Sequence, residues 1–301
     1  MSSPGVFRSG YAALSISMSF FSPPVLAQLP PATQAAVTID VDFRSGSATL
    51  AGTILVPPNP IAGVVIVHGS GQTARDLAFA QELAQRGVAT LTYDKRGVGK
   101  SGGVYVGPEV GTNNVDTANL ELLANDAVAA TSELSRRISS PPTPIGLIGM
   151  SQAGWVIPLA AVRSPDVKFM VIWSGPLVTT LEQLRFQFFT EDKKDFWTKN
   201  TEAGVREHIR SGPDRYQFLP TDPAASLSHV SIPGLWLYGL QDLSVPVSLS
   251  IERLDSLKSS GKRFSHIEFA DAGHELPFSS ALSASINWIQ RTIVPVPQAK
   301  K

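Results

Sequence analysis

The sequence predicts an α/β fold in which helices cover both faces of a mostly parallel β-sheet. Two observations and one general rule about parallel strands lead to this prediction. Short apolar runs rich in β-branched residues recur along the chain, as expected of strands that are buried on both faces. Segments with helical spacing separate these runs, so that strands and helices alternate. Neighbouring parallel strands need a crossover connection, which is usually a helix. These crossover helices lie over the faces of the sheet.

The strands and helices are assigned in order from these patterns. The first predicted helix ends before Gly87, because glycine often follows the last residue of a helix. The longest predicted helix ends before Pro141, because proline does not continue a helix. The predicted strands are Ala48–Val56, Gly63–Val67, Val88–Tyr93, Ile145–Ile148, Phe169–Trp173, Gly234–Tyr238 and Phe264–Phe269. The predicted helices are Leu77–Arg86, Leu120–Ile138, a stretch from Trp155, Ile251–Ser259 and Ala281–Ile293. Residues from about 177 to 227 break the alternation, so we expect a small helical cap insertion there.

Composition narrows the classes of function. The 301 residues carry 25 Lys and Arg against 25 Asp and Glu, and hydrophobic residues make up 43%. No basic block is present, which argues against a nucleic-acid partner, because binding phosphates requires excess positive charge. The absence of cysteine excludes disulfides, thiolate catalysis and cysteine-ligated metals. Nothing in the composition indicates an oligomeric state.

The N-terminal segment has the pattern of a secretory signal peptide. Arg8 precedes a mostly apolar stretch from Tyr11 to Phe21, and Val25-Leu26-Ala27 offers a cleavage point. We expect residues 1–27 to be removed, which leaves residues 28–301 as the mature α/β domain in the periplasm or outside the cell. A disordered tail is the alternative. A permanent membrane span is not expected, because it requires about 20 apolar residues.

A candidate nucleophile follows the strand that begins at Ile145. The chain reads Gly149-Met-Ser151-Gln152-Ala153-Gly154 before an apolar helical stretch. Serine on such a tight strand-to-helix turn exposes its hydroxyl, and the next N–H lies at the helix N-terminus. Ala153 occupies the position where this motif usually has glycine. An ordinary turn between strand and helix is the alternative interpretation.

Candidate oxyanion donors and triad partners follow three other strands. His68-Gly69-Ser70-Gly71 comes after Gly63–Val67, and the backbone amides of Ser70 and Gln152 are the predicted donors. His68 itself is interpreted as structural. Asp242 follows the strand at Gly234, and His274 follows the strand at Phe264. The order Ser151, Asp242, His274 is typical of one of the three common serine-hydrolase arrangements. Asp271 is a less favoured alternative acid because it lies so near His274.

These motifs together resemble the α/β-hydrolase superfamily of serine hydrolases. The chain is similar to bacterial esterases and dienelactone-hydrolase-like proteins, to acyl-CoA thioester hydrolase C-terminal domains and to serine aminopeptidases. The motifs that carry the resemblance are HGSG, YDKRGVGKSG, GMSQAGW, YGLQDLSVP and DAGHE, which span His68 to His274. The resemblance implies an α/β-hydrolase fold, and it implies that Asp94 and Arg96 form a structural turn near the site.

The expected activity is hydrolysis of small acyl esters or thioesters by Ser151, His274 and Asp242, with no cofactor. No two histidines have the spacing of metal ligands, so no metal is expected. A peptidase or amidase with the same triad stays open, as does a non-catalytic binding protein. Four cap carboxylates are candidates for holding a substrate ammonium: Glu182, Glu191, Asp192 and Asp195. Five cap aromatics are candidates either for an acyl pocket or for the core of the cap: Phe186, Phe188, Phe189, Phe196 and Trp197.

Overall fold

A computed structural model describes residues 35–107, 113–138, 143–213 and 218–293 of the protein. The predicted signal peptide, residues 1–27, lies outside the described residues. Within the described ranges, no helix combines the length and the apolar character that crossing a bilayer requires.

The strands of the described residues form one eight-stranded sheet. They are β1 (Val37–Ser45), β2 (Ala48–Val56), β3 (Ala62–Val67), β4 (Val88–Tyr93), β5 (Ile145–Met150), β6 (Val167–Trp173), β7 (Gly234–Gly239) and β8 (Phe264–Phe269). The sheet order is β1-β2-β4-β3-β5-β6-β7-β8. β1 and β2 form an antiparallel hairpin and β2 pairs antiparallel with β4, whereas every pairing from β4 to β8 is parallel. The prediction of a mostly parallel sheet is confirmed.

Helices follow most of the parallel strands. Among the described residues they are α1 (Leu77–Gln85), α2 (Thr117–Arg137), α3 (Ala153–Arg163), α4 (Thr180–Thr190), α5 (Phe196–Lys199), α6 (Glu202–Ser211), α7 (Pro223–Ser228), α8 (Val247–Ser259) and α9 (Phe278–Thr292). Several begin earlier than their apolar spacing predicts. Asp116, for example, accepts a hydrogen bond from the backbone of Ala118 and starts α2 at Thr117.

Two hydrophobic cores lie on the two faces of the sheet because successive side chains of a strand point to opposite faces. Val65 and Val67 of β3 pack in one core with α2 and α3. Val64 and Ile66 pack in the other core with α1 and α9. Every residue of β3 and of β4 is buried, which explains the continuous apolar sequence of β3.

The segment between β6 and β7 contains α4, α5, α6 and α7, in the region where the sequence predicts a cap. It has a small core of its own, formed by Phe186, Phe196, Val205 and Ile209. Phe186 and Phe196 are therefore packing residues of this cap. A capping box between Thr179 and Glu182 begins α4.

A buried ion pair connects the loop after β4 to α2. Arg96 Nε donates to Asp126 Oδ2 at 3.0 Å, and Arg96 Nη2 contacts the other carboxylate oxygen. The Asp126 side chain is inaccessible to solvent. Such a pair has lost its hydration, so each ion depends on its partner for compensation.

We expect Asp126→Ala to lower the free energy of unfolding by about 3–5 kcal/mol, because it leaves the buried guanidinium of Arg96 uncompensated. The control is Glu121→Ala in the same helix, which breaks only the surface pair with Arg163. That change should cost about 0–1 kcal/mol. Urea denaturation of both variants measures the two values, and equal losses would contradict the prediction.

Candidate active site

Ser151 lies in a strained turn between β5 and α3. Its φ is +55°, in the left-handed region that residues other than glycine rarely adopt. A Cβ added to Gly149 would lie 2.5 Å from Val67 O and 2.6 Å from the Cβ of Ala153. The turn therefore requires glycine at position 149, while the methyl group of Ala153 fits as a fully buried neighbour. The departure from the usual motif leaves the turn intact.

Ser151, His274 and Asp242 lie in hydrogen-bond contact. His274 Nε2 is 3.0 Å from Ser151 Oγ, and His274 Nδ1 is 2.8 Å from Asp242 Oδ2. Asp242 is buried, and its Oδ1 accepts hydrogen bonds from the backbone N–H groups of Ser244 and Val245 at 2.7 and 2.9 Å. These bonds fix the carboxylate towards the imidazole, which in turn faces the serine hydroxyl.

The alternative acid lies apart from this chain of contacts. Asp271 is exposed in the loop between β8 and α9. The hydrogen bonds of the His274 ring, among the described residues, go to Asp242 and Ser151. Asp242 is therefore the carboxylate that orients this histidine.

The electrostatic surroundings raise the pKa of His274. Burial alone would lower this pKa, but the hydrogen bond and charge of Asp242, with additional effects of Glu275 and Asp192, more than offset it. Glu275 is next to the histidine in sequence, whereas Asp192 belongs to the cap. A cap carboxylate thus acts on the titration of the histidine.

The amides predicted as oxyanion donors lie beside Ser151. Ser70, Gln152, Ser151 and His274 line the same cavity. Gly69 packs close to the turn, since a Cβ added to it would be 3.8 Å from the Cβ of Ser151. Among the hydrogen bonds of the described residues, none is donated by the N–H of Ser70 or Gln152. Both donors are therefore available to a ligand.

The cavity above Ser151 has a volume of about 600 Å³ and is enclosed partly by the cap. Its wall is mostly uncharged, and its acidic residues are Glu191 and Asp192. The remaining lining residues are Asn114, Val115, Trp155, Pro176, Gln183, Leu184, Gln187, Phe188, Ser244 and Val245. Of the five cap aromatics, Phe188 lines this cavity, while Phe189 lines a neighbouring cavity of about 290 Å³.

The four cap carboxylates have different surroundings. Glu182 binds Arg253 through two hydrogen bonds of 2.8 and 2.6 Å and also caps α4. Asp195 is exposed and pairs with Lys199. Glu191 pairs with Lys193 while lining the cavity, and Asp192 lines the cavity without a hydrogen bond or ion pair among the described residues. Glu191 and Asp192 both have positive φ, at 46° and 56°.

His68 and Asp94, which the sequence analysis interprets as structural, have surroundings typical of structural residues. Burial and the charge of Lys95 lower the pKa of His68 to about 4, so this histidine is neutral at pH 7. Asp94 binds the side chain of Arg75 and the backbone N–H of Lys100. No three acidic or histidine side chains within the described ranges form a group that could hold a metal ion.

Sequence reasoning missed Lys95, which lies buried behind the amides of the site. Its position between Asp94 and Arg96 was the available signal, because a third charge beside two buried ones requires its own partners.

A comparison with family models matches residues 58–200 to "Serine aminopeptidase, S33". Two Mycobacterium tuberculosis proteins, from different strains and each named "Putative phosphoribosyl transferase", are 29% identical over 140 residues. That alignment covers 45% of this chain and 29% of each relative. The matched region is thus less than a third of the length of these curated relatives.

Solved structures give a match over most of the chain. An esterase of Pyrococcus furiosus superposes with a TM-score of 0.61 and 16% identity, covering 90% of this chain and 97% of its own. A dienelactone hydrolase of Anabaena variabilis superposes with a TM-score of 0.57 and 19% identity. The superposition covers 86% of this chain and 99% of the dienelactone hydrolase. The chain has the α/β-hydrolase fold that these structures share.

A peptidase shares this fold as well. An acylaminoacyl peptidase of Pyrococcus horikoshii superposes with a TM-score of 0.61 and 16% identity, covering 89% of this chain and 44% of its own. An esterase, a dienelactone hydrolase and a peptidase are therefore all among the proteins with this fold.

We expect the rate of labelling of Ser151 by a fluorophosphonate probe to rise with pH, because His274, which contacts the Ser151 hydroxyl, can accept a proton only in its neutral form. The midpoint should lie above the ordinary histidine value of about 6.5, since the pKa of His274 is raised. Asp192→Asn should move the midpoint to lower pH by removing a negative charge. Asp195→Asn is the matched control and should leave it unchanged. A wild-type midpoint below the ordinary value, or one insensitive to Asp192, would contradict the prediction.

Proposed function

We propose that the protein hydrolyses carboxylic esters or thioesters of small acyl groups through an acyl-enzyme on Ser151. The observation that carries this proposal is the pair of hydrogen bonds that joins Ser151 Oγ to His274 and His274 to buried Asp242. A serine hydroxyl, a histidine base and an orienting carboxylate are the groups that nucleophilic acyl transfer requires.

The reaction begins when Ser151 Oγ attacks the carbonyl carbon and His274 Nε2 accepts its proton. Asp242 holds the imidazole with its proton on Nδ1 and stabilises the imidazolium. The N–H groups of Ser70 and Gln152 donate to the oxyanion, each contributing about 3–4 kcal/mol to the transition state. His274 then protonates the departing alcohol or thiol, and water hydrolyses the acyl-enzyme by the same route.

The wall of the cavity favours an uncharged acyl group. Trp155, Pro176, Leu184 and Val245 present apolar surface around Ser151. Such a surface binds an alkyl chain by removing apolar area from water, at roughly 25 cal/mol per Å². The esterase and the dienelactone hydrolase with the same fold favour the same class of substrate.

A peptidase that binds a free amino terminus is the second candidate function, and Asp192 is the observation that favours it. This carboxylate lines the cavity, raises the pKa of His274 and has no ion-pair partner among the described residues. A substrate ammonium would compensate its charge. The family model and the acylaminoacyl peptidase neighbour also favour this class.

Removing the proposed nucleophile or its orienting acid should abolish turnover. We expect Ser151→Ala and Asp242→Asn each to reduce p-nitrophenyl butyrate hydrolysis on the order of 10⁴-fold, with little change in thermal unfolding. Asp271→Asn, a matched change in the exposed alternative acid, should stay within about threefold of the wild type. Loss of activity in Asp271→Asn together with retention in Asp242→Asn would mean that the carboxylate assignment is wrong.

Substrate preference separates the two candidate functions. We expect p-nitrophenyl acetate and butyrate to be hydrolysed with higher kcat/KM than alanine or proline p-nitroanilide. Because esters are intrinsically easier to cleave, the deciding measurement is the effect of Asp192→Asn on both substrates, with Asp195→Asn as control. In Asp192→Asn, the rate of ester hydrolysis at a pH where His274 is neutral should differ little from that of the wild type. Efficient anilide turnover that collapses in Asp192→Asn alone would establish the peptidase instead.

A further inference from the structure

A buried ammonium lies behind the candidate oxyanion hole. Lys95 follows β4 and is only 1% exposed. Its Nζ donates to the carbonyl oxygens of Gly69, Ser70 and Gly71, at 2.7, 3.1 and 3.3 Å. It also donates to Gln152 Oε1 at 3.2 Å and lies 5.5 Å from the centre of the Tyr105 ring. Removing an ammonium from water is costly, and these acceptors compensate that cost.

The first of these hydrogen bonds fixes the direction of a candidate donor. The carbonyl of Gly69 and the N–H of Ser70 belong to one planar trans peptide, so they point in opposite directions. An ammonium that holds the oxygen therefore directs the N–H away from Lys95. The charge also polarises this peptide, which strengthens the hydrogen bond that its N–H donates.

The second candidate donor is held through a side chain. Lys95 binds Gln152 Oε1, and Gln152 Nε2 donates to the carbonyl oxygen of Asn114 at 2.6 Å. Both ends of this amide are thus bound, which fixes the residue whose backbone N–H follows Ser151. One ammonium therefore contacts both residues that carry the candidate oxyanion donors.

We propose that Lys95 is a positioning residue that aligns the N–H groups of Ser70 and Gln152 towards the tetrahedral oxyanion. This inference rests on the proposed acyl-enzyme mechanism, but it does not depend on whether the acyl donor is an ester or a peptide. Its effect should appear where negative charge develops on oxygen, and hence in kcat and in phosphonylation rather than in KM.

The test compares Lys95→Met with Lys100→Met. Lys100 lies five residues further along the same loop and is exposed, so its change removes the same charge without touching the loop at Gly69. We expect Lys95→Met to lower kcat for p-nitrophenyl acetate by about 100-fold, the scale of losing one oxyanion donor, with KM within about threefold. Lys100→Met should resemble the wild type. Equal kcat in both variants would overturn the proposal.

Labelling of Ser151 by a fluorophosphonate provides a readout independent of substrate, because the phosphoryl oxygen occupies the same position as the oxyanion. Its second-order rate should also fall about 100-fold in Lys95→Met. If the wild type is labelled but hydrolyses no ester, the proposed substrate class fails while Lys95 is still tested. A labelling rate within about threefold of the wild type would overturn the positioning role.

Chemical rescue covers the case in which Lys95→Met folds poorly. The chain contains no cysteine, so Lys95→Cys introduces a single thiol. Alkylation of the unfolded chain with 2-bromoethylamine restores an ammonium at the length of lysine, whereas iodoacetamide adds a neutral group. After refolding, confirmed by circular dichroism, the ammonium adduct should be labelled at least about tenfold faster, as expected if it restores most of one oxyanion donor. Equal labelling of the two adducts, or an ammonium adduct that refolds without recovering its rate, would overturn the proposal.

Discussion

Crowding at the carboxyl end of β5 is the constraint on which the geometry of the site depends. Gly149 lies so close to Val67 and Ala153 that the backbone has no room for another side chain. At this crowded end of the strand the chain turns towards α3 through Ser151, whose φ is positive. Its hydroxyl then projects above the sheet edge, where the loops after β7 and β8 place an acid and a histidine.

Charged side chains anchor the loop after β4 to its surroundings. Three consecutive residues of this loop each use a different partner: Asp94 binds Arg75, Lys95 binds the carbonyls after β3, and Arg96 binds Asp126. These bonds join β3, β4 and α2 at the edge where the reaction is proposed to occur. These bonds hold the loop after β4 in place. The bonds from Lys95 also hold the carbonyl groups of Gly69 and Ser70 in the loop after β3.

Patterns of local sequence predicted the central strands and singled out Ser151, Asp242 and His274, which the structure brings into contact, because each signal lies within a few residues. The bounds of β2, β4 and β8 agree with those predicted from the sequence. The edge strand β1 was missed, since its outward residues are charged and only alternate positions are buried. The role of Lys95 escaped prediction for another reason. Its acceptors lie 24 to 57 residues away in the sequence, and only the tertiary fold brings them together.

The separate core of the cap has an evolutionary consequence. Phe186, Phe196, Val205 and Ile209 pack together apart from the two cores on the sheet. Of the cavity residues on α4, Leu184 packs against one core of the sheet, whereas Phe188 is a member of neither sheet core. Substitution of Phe188 therefore changes the wall of the cavity without changing the composition of either core on the sheet, so a new cavity shape can evolve without prior compensating mutations in the sheet.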